Sequence, residues 1–267
     1  MRSSAFLGIA LLTVVGACGG DGSSQMPGPS PTATPLPTPA PTPGPTGTPT
    51  PGPSPTLGSK VVEFSFVNDT NGFRADYSDF VPGQEPIIAF RAEPEQLPPP
   101  LASLSGFAVS APNPSTDLFI YIWKPVTGLA PNTRYQVTVS LRFATNAPPN
   151  CPGNPGENVT IKAGASAVEP ARVTQLNRVT VNFDKGDQAT GGTDVAALGD
   201  FTQTTTAGTC DQPLYSEKTL TTGATAPAVT SDANGQLWLV IGADSGFVGR
   251  TRIYFLNGEA TFSPLVG

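Results

Sequence analysis

Acid–base chemistry in this chain is limited to carboxylates and amines, because its 267 residues include no histidine. That composition excludes Ser-His-Asp and Cys-His catalysis and most zinc sites. A pair of carboxylates, as used in glycoside hydrolysis, remains as a general acid–base option. The candidates for such a pair are Glu157, Glu169, Asp184 and Asp187. Acidic residues in loops are more often solvated charges or turn formers, so the sequence predicts no catalytic residue.

Closely spaced oxygen ligands of the kind that Ca²⁺ prefers occur in two loops. The first loop contains Asp69, Asn71 and Asp76, and the second contains Asp184, Asp187 and Asp194. Neither loop matches an EF-hand, and Asp or Asn before Gly is commonly a turn residue, with Gly186 supplying a positive φ in the second loop. A structural calcium ion at Asp69, Asn71 and Asp76 is one prediction and a simple turn is the alternative. No other cofactor is predicted.

Aromatic residues occupy every second position of one apolar segment, Asp117–Lys124. Because strand side chains alternate between faces, the rings share one face and the aliphatic residues share the other. If the aliphatic rows face the core, the rings lie on the opposite face, where they could stack against sugar rings. In the alternative interpretation the rings form a second small core under crossing loops, or the main core. The predicted ligand-binding residues, called here the aromatic row, are Phe119, Tyr121, Trp123 and Trp238.

These side chains must be positioned by β-strands, of which Arg134–Phe143 is the clearest because apolar and polar residues alternate along it. Short runs rich in Val, Ile, Thr, Phe and Tyr recur over residues 60–267, separated by Gly, Pro, Asn and Asp. The pattern predicts an all-β domain, a single jelly-roll-type antiparallel β-sandwich of about 11 strands. The expected strands include Pro86–Ala92, Val173–Phe183, Arg250–Leu256 and Glu259–Phe262.

The N-terminus has the order of a secretory signal, in which Arg2 precedes an apolar stretch, Ala5–Ala17, of about 13 residues. A membrane span needs roughly 20 apolar residues, so this stretch is too short to be one. The run Val15-Gly16-Ala17-Cys18 resembles the lipobox of bacterial lipoproteins, which implies a diacylated Cys18 as the new N-terminus. An ordinary secretory signal with a stray cysteine is the alternative. We expect a signal peptide over residues 1–17 and a lipid-anchored protein of the bacterial cell envelope, in the outer membrane.

Two cysteines remain for pairing if Cys18 carries lipid. Cys151 and Cys210 lie in turn-rich segments of an exported chain, where disulfides persist. A bond between them would close a loop of about 59 residues and stabilise the fold by roughly 4 kcal/mol. The sequence therefore predicts this disulfide, and the lack of histidine disfavours a metal site at the same two residues.

Residues 18–59 differ in composition from the remainder of the chain, since prolines alternate with Thr, Ala, Ser and Gly. Such a segment cannot bury enough apolar surface to offset its ordering entropy. Proline also favours the extended polyproline II conformation. The segment is therefore predicted to be a disordered Pro/Thr-rich linker. The net charge of −6 over the whole chain argues against a nucleic-acid partner.

Residues 128–135, Gly-Leu-Ala-Pro-Asn-Thr-Arg-Tyr, resemble a strand entry of galactose-binding-like jelly rolls, the fold of many carbohydrate-binding modules, and of fibronectin type III domains. The domain length and the late strand pair Leu237–Gly242 and Thr251–Phe255 favour the jelly roll. Several other runs are similar to those of a group of uncharacterised bacterial lipoproteins, a resemblance that implies location and fold but no activity. They include Asp117-Leu118-Phe119, Lys162-Ala163-Gly164-Ala165, Asp184-Lys185-Gly186-Asp187-Gln188 and Asp244-Ser245-Gly246-Phe247. The last strand lacks the common Asp at Tyr254–Asn257, which weakens any calcium site implied by the jelly-roll resemblance.

The sequence is therefore interpreted as a surface-anchored lipoprotein with a non-catalytic extracytoplasmic binding module for glycan or cell-wall polysaccharide. This ligand class is inferred from fold analogy alone. One alternative is a structural or adhesive surface protein that contacts other proteins. The other is a carboxylate-based glycosidase or lyase.

Overall fold

The protein is an antiparallel β-sandwich in a computed structural model that describes Gly28 and residues 57–265. The signal peptide, Cys18 and almost all of the linker lie outside the described residues. The seven-stranded sheet contains β1 (Lys60–Ser65), β3 (Arg91–Gln96), β4 (Ser105–Asn113), β6 (Arg134–Thr145), β11 (Ser216–Thr221), β12 (Ala228–Thr230) and β14 (Gly249–Pro264). The five-stranded sheet contains β2 (Arg74–Ser78), β5 (Leu118–Val126), β7 (Val159–Ser166), β10 (Val195–Asp200) and β13 (Leu237–Ser245). A separate hairpin consists of β8 (Arg172–Gln175) and β9 (Arg178–Val181).

Each of the two sheets has a central run of five hydrogen-bonded strands. The larger sheet has the order β11-β6-β14-β4-β3, with β1 also paired to β14 and β12 also paired to β6. The smaller sheet has the order β10-β7-β13-β5-β2. Two short helical segments lie outside the sheets, an α-helix at Glu85–Ile88 and a 3-10 turn at Gly156–Asn158. Among the residues described, no helix is long and apolar enough to cross a membrane.

The main core lies between the two sheets. In β6 the apolar residues from Tyr135 to Phe143 are buried at every second position, as the sequence alternation predicts. The aliphatic residues of β5 face them from the smaller sheet, among them Ile120 and Ile122. Burial of such side chains contributes about 1.5–3 kcal/mol each to folding, which makes this interface the principal stabilising layer.

Some predicted strands are wrong in detail. The segment Pro86–Ala92 begins as the short helix, because Pro86 fits a first helical turn where no backbone donor is needed. The run 173–183 contains the β8–β9 hairpin, whose turn residues Leu176 and Asn177 both have positive φ. The two strands expected over 250–262 are one strand, β14, with an irregular register between Phe255 and Asn257. The described part has fourteen strands, against about 11 expected for the sandwich.

Candidate functional site

The aromatic row lies on the outer face of the five-stranded sheet, but it does not face solvent. Phe119 and Tyr121 are fully buried and stack at 5.0 Å between ring centroids. Trp123 is 8% exposed and Trp238 is partly buried. Val181 and Phe183 lie against these rings. The prediction of an open platform for sugar stacking is therefore wrong, and the rings form the second small core of the alternative interpretation.

The chain that covers these rings runs from residue 167 to residue 194, and we call it the covering segment. Arg172 binds it to β2 through the carboxylate of Asp76, at 3.1 Å, and lies 5.1 Å from the ring centroid of Tyr77. Arg178 pairs with Asp117 and donates to the backbone carbonyl of Asp79 at 2.9 Å. These ion pairs are partly exposed and each contributes little, so the buried apolar contacts hold the segment in place.

An ion cluster, called here the buried ion cluster, lies where the covering segment meets the sheet, and it is defined by Lys185 of that segment together with Lys162, Asp79, Asp117 and Asp244. Oδ2 of Asp244 is 3.0 Å from Nζ of Lys162 and 2.6 Å from Nζ of Lys185. The side chains of Asp244 and Lys162 are both 0% exposed. Nζ of Lys162 also donates to the backbone carbonyls of residues 185 and 187. The ammonium group of Lys162 on the sheet and that of Lys185 on the covering segment therefore attach these two parts to each other.

Side chains alternate between the two faces along β7, and this places Lys162 on the outer face of the sheet, the face of the aromatic row. On the neighbouring strand β13, Gly242 lies opposite Lys162. A Cβ on Gly242 would lie 2.6 Å from Cζ of Phe119, so only glycine leaves room for that ring to lie across β13. Sequence reasoning missed the cluster because its members come from five separated segments. Four of those segments are runs through which the chain resembles uncharacterised lipoproteins, but no local pattern marks them as neighbours.

Asp117 and Asp244 are both perturbed acids, because burial raises the pKa of each carboxyl group. Burial, followed by the charges of Asp79 and Asp244, raises the pKa of Asp117 from 3.8 to about 6, while Lys185 and Arg178 act in the opposite direction. The three carboxylates offer oxygen atoms within 4.8 Å of one another. Like charges at this spacing favour retention of a proton on one of them. Asp117 therefore changes charge close to neutral pH.

A cleft of about 470 Å³ opens above the cluster, and we call it the acidic cleft. Its lining residues are Asp79, Asp117, Thr180, Val181, Phe183, Asp184, Lys185, Gly186, Asp187 and Gln188. Oδ1 of Asp117 is buried and accepts no hydrogen bond within the described chain. Oδ2 of Asp79 lies 2.8 Å from Nζ of Lys185, but outside hydrogen-bond geometry. These two oxygen atoms therefore lie below the surface of the cleft, and the charge of Lys185 offsets that of Asp79.

Four residues were candidates for a carboxylate acid–base pair. Asp184 and Asp187 line this cleft, whereas Glu157 and Glu169 do not. The carboxylate of Asp184 accepts backbone hydrogen bonds from Thr193 and Gly186, both at 2.9 Å, and these bonds lower its pKa. Gly186 has a φ of 71°, which confirms the predicted turn. Asp184 therefore shapes the rim of the cleft as an ionised side chain.

The predicted calcium residues are engaged by other partners. Oδ1 of Asp69 accepts the backbone N–H of Asn71 at 2.6 Å, which is a turn contact. Nζ of Lys124 donates to the side-chain oxygen of Asn71 at 3.0 Å, and Asp76 pairs with Arg172. Cationic side chains thus contact two of the three residues of the calcium prediction, Asn71 and Asp76. A metal ion in the carboxylate group of the buried ion cluster would likewise have to displace Lys185.

The predicted disulfide is confirmed. Cys151 and Cys210 are bonded, with their Cα atoms 5.4 Å apart and 59 positions apart in the sequence. The bond joins the loop after β6 to the loop before β11, which are also the loops that approach the start of β14. It therefore fixes the geometry of that end of the sandwich.

No protein-family model matches this chain, and no curated protein matches it. A carbohydrate-binding module of the beta-sandwich superfamily is similar, with 14% identity and a TM-score of 0.38 over 76% of this chain and 61% of that one. A mannan-recognising carbohydrate-binding module has 9% identity and a TM-score of 0.36, over 76% and 97% of the two chains. The K1 cleaved adhesin domain of Lys-gingipain from Porphyromonas gingivalis W83 has 12% identity and a TM-score of 0.33, over 78% and 99%. These values bear on neither ligand nor activity.

Proposed function

We propose that this protein is a surface-anchored lipoprotein whose sandwich binds glycan hydroxyl groups in the acidic cleft, without chemistry. The observation that carries the proposal is the lining of the cleft, which places the exposed carboxylates of Asp184 and Asp187 beside the side chains of Thr180 and Gln188. Carboxylate oxygens accept charge-assisted hydrogen bonds from hydroxyl donors, so a ligand rich in hydroxyl groups gains by making them. Sugars supply several such donors within the dimensions of the cleft.

The lining of the cleft suits a sugar in two further respects. Asp187 and Gln188 place a carboxylate and an amide at its rim, which can accept and donate hydrogen bonds to neighbouring hydroxyls. Val181 and Phe183, which are buried against the aromatic row, form the apolar part of the cleft lining, near which the C–H face of a sugar ring can lie. Two of the similar solved structures are carbohydrate-binding modules, but the lining of the cleft supports the proposal without them.

Binding is tested by titration calorimetry of the full chain with soluble oligosaccharides. Asp187→Ala removes a rim acceptor but keeps the backbone carbonyl that Lys162 uses, and Thr180→Val removes a hydroxyl at nearly constant volume. Each variant should weaken binding by about 3- to 10-fold, the effect of one hydrogen bond. Glu157→Gln, an exposed change away from the cleft, is the matched control. Equal affinities for all four proteins would refute the assignment of the site.

The anchor is tested separately, because Cys18 lies outside the described residues. The expected mature protein begins at Cys18 and carries fatty acyl groups, as the lipobox resemblance implies. Intact-mass analysis of the membrane fraction should show the added acyl mass, and Cys18→Ser should abolish it. A soluble mature product with an unmodified Cys18 would contradict this part of the proposal.

A second function is favoured by one observation, the presence in the same cleft of two carboxyl groups whose pKa values are shifted in opposite directions. The pKa of Asp117 is raised to about 6 and that of Asp184 is lowered, the division of roles found in carboxylate-based glycosidases. Such an enzyme should lose turnover in Asp117→Asn without a fall in its melting temperature at pH 7. The absence of turnover on a polysaccharide panel would eliminate this candidate and leave glycan binding.

A further inference from the structure

A second cleft, of about 360 Å³, lies at the disulfide-linked end of the sandwich, and we call it the basic cleft. Its lining residues are Asn146, Gly153, Asn154, Pro155, Tyr215, Phe247, Gly249, Arg250 and Arg252. Two of these side chains are cationic and none is acidic. That composition is unusual in a chain with a net charge of −6.

Two donor atoms of the residues that line the basic cleft have no acceptor among the described residues. Nε of Arg252 and Nδ2 of Asn154 are buried and have no hydrogen-bond partner in the described structure. Arg250 is exposed and forms neither an ion pair nor a side-chain hydrogen bond with any residue of 57–265. Arg252 is partly neutralised by its ion pair with Glu95, so Arg250 supplies the uncompensated charge of the cleft.

The walls of the basic cleft are held in place from three sides. The disulfide joins the loop that carries Asn154 to the segment that leads into Tyr215. The ring of Tyr215 packs edge-on against Tyr254, at 5.1 Å between centroids and 89° between planes. Gly249 has a φ of 140°, and a Cβ there would lie 2.6 Å from the ring of Phe247. The donors and the two rings therefore form a preorganised recess rather than a mobile surface.

The geometry points to a second glycan subsite that binds an acidic sugar through its carboxylate. A guanidinium recognises a planar carboxylate through two parallel hydrogen bonds, and side-chain amides can donate to the neighbouring oxygens. Aromatic surfaces of Tyr215 and Phe247 border the same space and suit the C–H face of the sugar ring. The acidic cleft offers acceptors and the basic cleft offers donors, so the two clefts select ligands of opposite hydrogen-bonding character.

Titration calorimetry of the full chain with oligogalacturonate tests this subsite. Arg250→Gln should weaken binding by about tenfold or more, since it removes the free charge and the bidentate contact. Arg134→Gln is the matched control. Arg134 is also exposed, but it lies at the start of β6, and it is the opposite end of that strand that approaches the basic cleft. Binding by the wild type should weaken as salt is added, because the pairing is electrostatic.

Three outcomes overturn the proposal: no binding of oligogalacturonate, equal weakening by Arg250→Gln and Arg134→Gln, or binding of dextran sulfate in preference to oligogalacturonate. The third result would mean a sulfate-binding surface instead of a carboxylate subsite. Asp187→Ala should leave oligogalacturonate binding unchanged, and Arg250→Gln should leave neutral-oligosaccharide binding unchanged. Failure at one cleft is therefore distinguishable from failure at the other.

Discussion

Replacement of Asp117 by Asn should change how the stability of the protein depends on pH. In the folded state the pKa of Asp117 is raised from 3.8 to about 6, first by burial and then by Asp79 and Asp244. Between these pH values the folded protein keeps a proton that the unfolded chain has released. The stabilisation is therefore complete below about pH 4 and is lost as pH rises through about 6.

The size of this effect follows from the shift and from the exposure of the group. A shift from 3.8 to about 6 corresponds to at most roughly 3 kcal/mol. The side chain of Asp117 is 35% exposed and pairs with Arg178, so solvent screening reduces the expected effect to about 1–2 kcal/mol. Asn cannot ionise, yet its carbonyl oxygen can still accept from Arg178. Asp117→Asn should therefore be at least as stable as the wild type at pH 7.

Urea denaturation of the two proteins at several pH values between 4 and 8 measures the difference directly. The wild type should lose about 1–2 kcal/mol more than Asp117→Asn as pH rises across this range. Half-buried Asp76 and Asp194, whose pKa values are also raised, are present in both proteins and cancel in the comparison. Asp211→Asn, an exposed substitution, should follow the wild type. Parallel curves for wild type and Asp117→Asn would refute the placement of Asp117 in a carboxylate cluster.

Further predictions concern the stability of the domain and are checked by equilibrium denaturation. Loss of the disulfide in Cys151→Ser/Cys210→Ser should cost about 4 kcal/mol for a closed loop of 59 residues, and an unchanged midpoint would contradict this. Asp244→Asn leaves two buried ammonium groups short of a counter-charge and should cost about 3–5 kcal/mol, whereas an effect below 1 kcal/mol would argue against the buried ion cluster. Gly242→Ala should cost about 1–3 kcal/mol through its clash with Phe119, while Gly223→Ala, with no atom within 4 Å, should be nearly neutral.

The sandwich was predictable because its signal is local. Alternation along Arg134–Phe143 identifies the buried face of β6 without reference to any other strand. The disulfide was predictable by elimination, since Cys151 and Cys210 are the two cysteines left if Cys18 is lipidated. Both inferences need only composition and spacing. The expected all-β domain was also close to the structure, in which a four-residue helix takes part of one predicted strand.

The site was less predictable because it depends on what covers a sheet face. The two-residue alternation of side chains along a strand correctly places Phe119, Tyr121 and Trp123 on one face. It contains no information about the covering segment, whose Phe183 lies about 60 positions farther along the chain. Lys162 illustrates the same limit. It is a lone charge within the otherwise apolar and small residues of β7, and its burial becomes intelligible only when Asp244 is placed beside it.

A glycan array probed with the full chain tests the central claim most directly. Glycan binding in the acidic cleft predicts a discrete set of bound glycans whose signals fall for Asp187→Ala and Thr180→Val but persist for Glu157→Gln. An array with no signal for the wild type, or with equal signals for all four proteins, would contradict the claim.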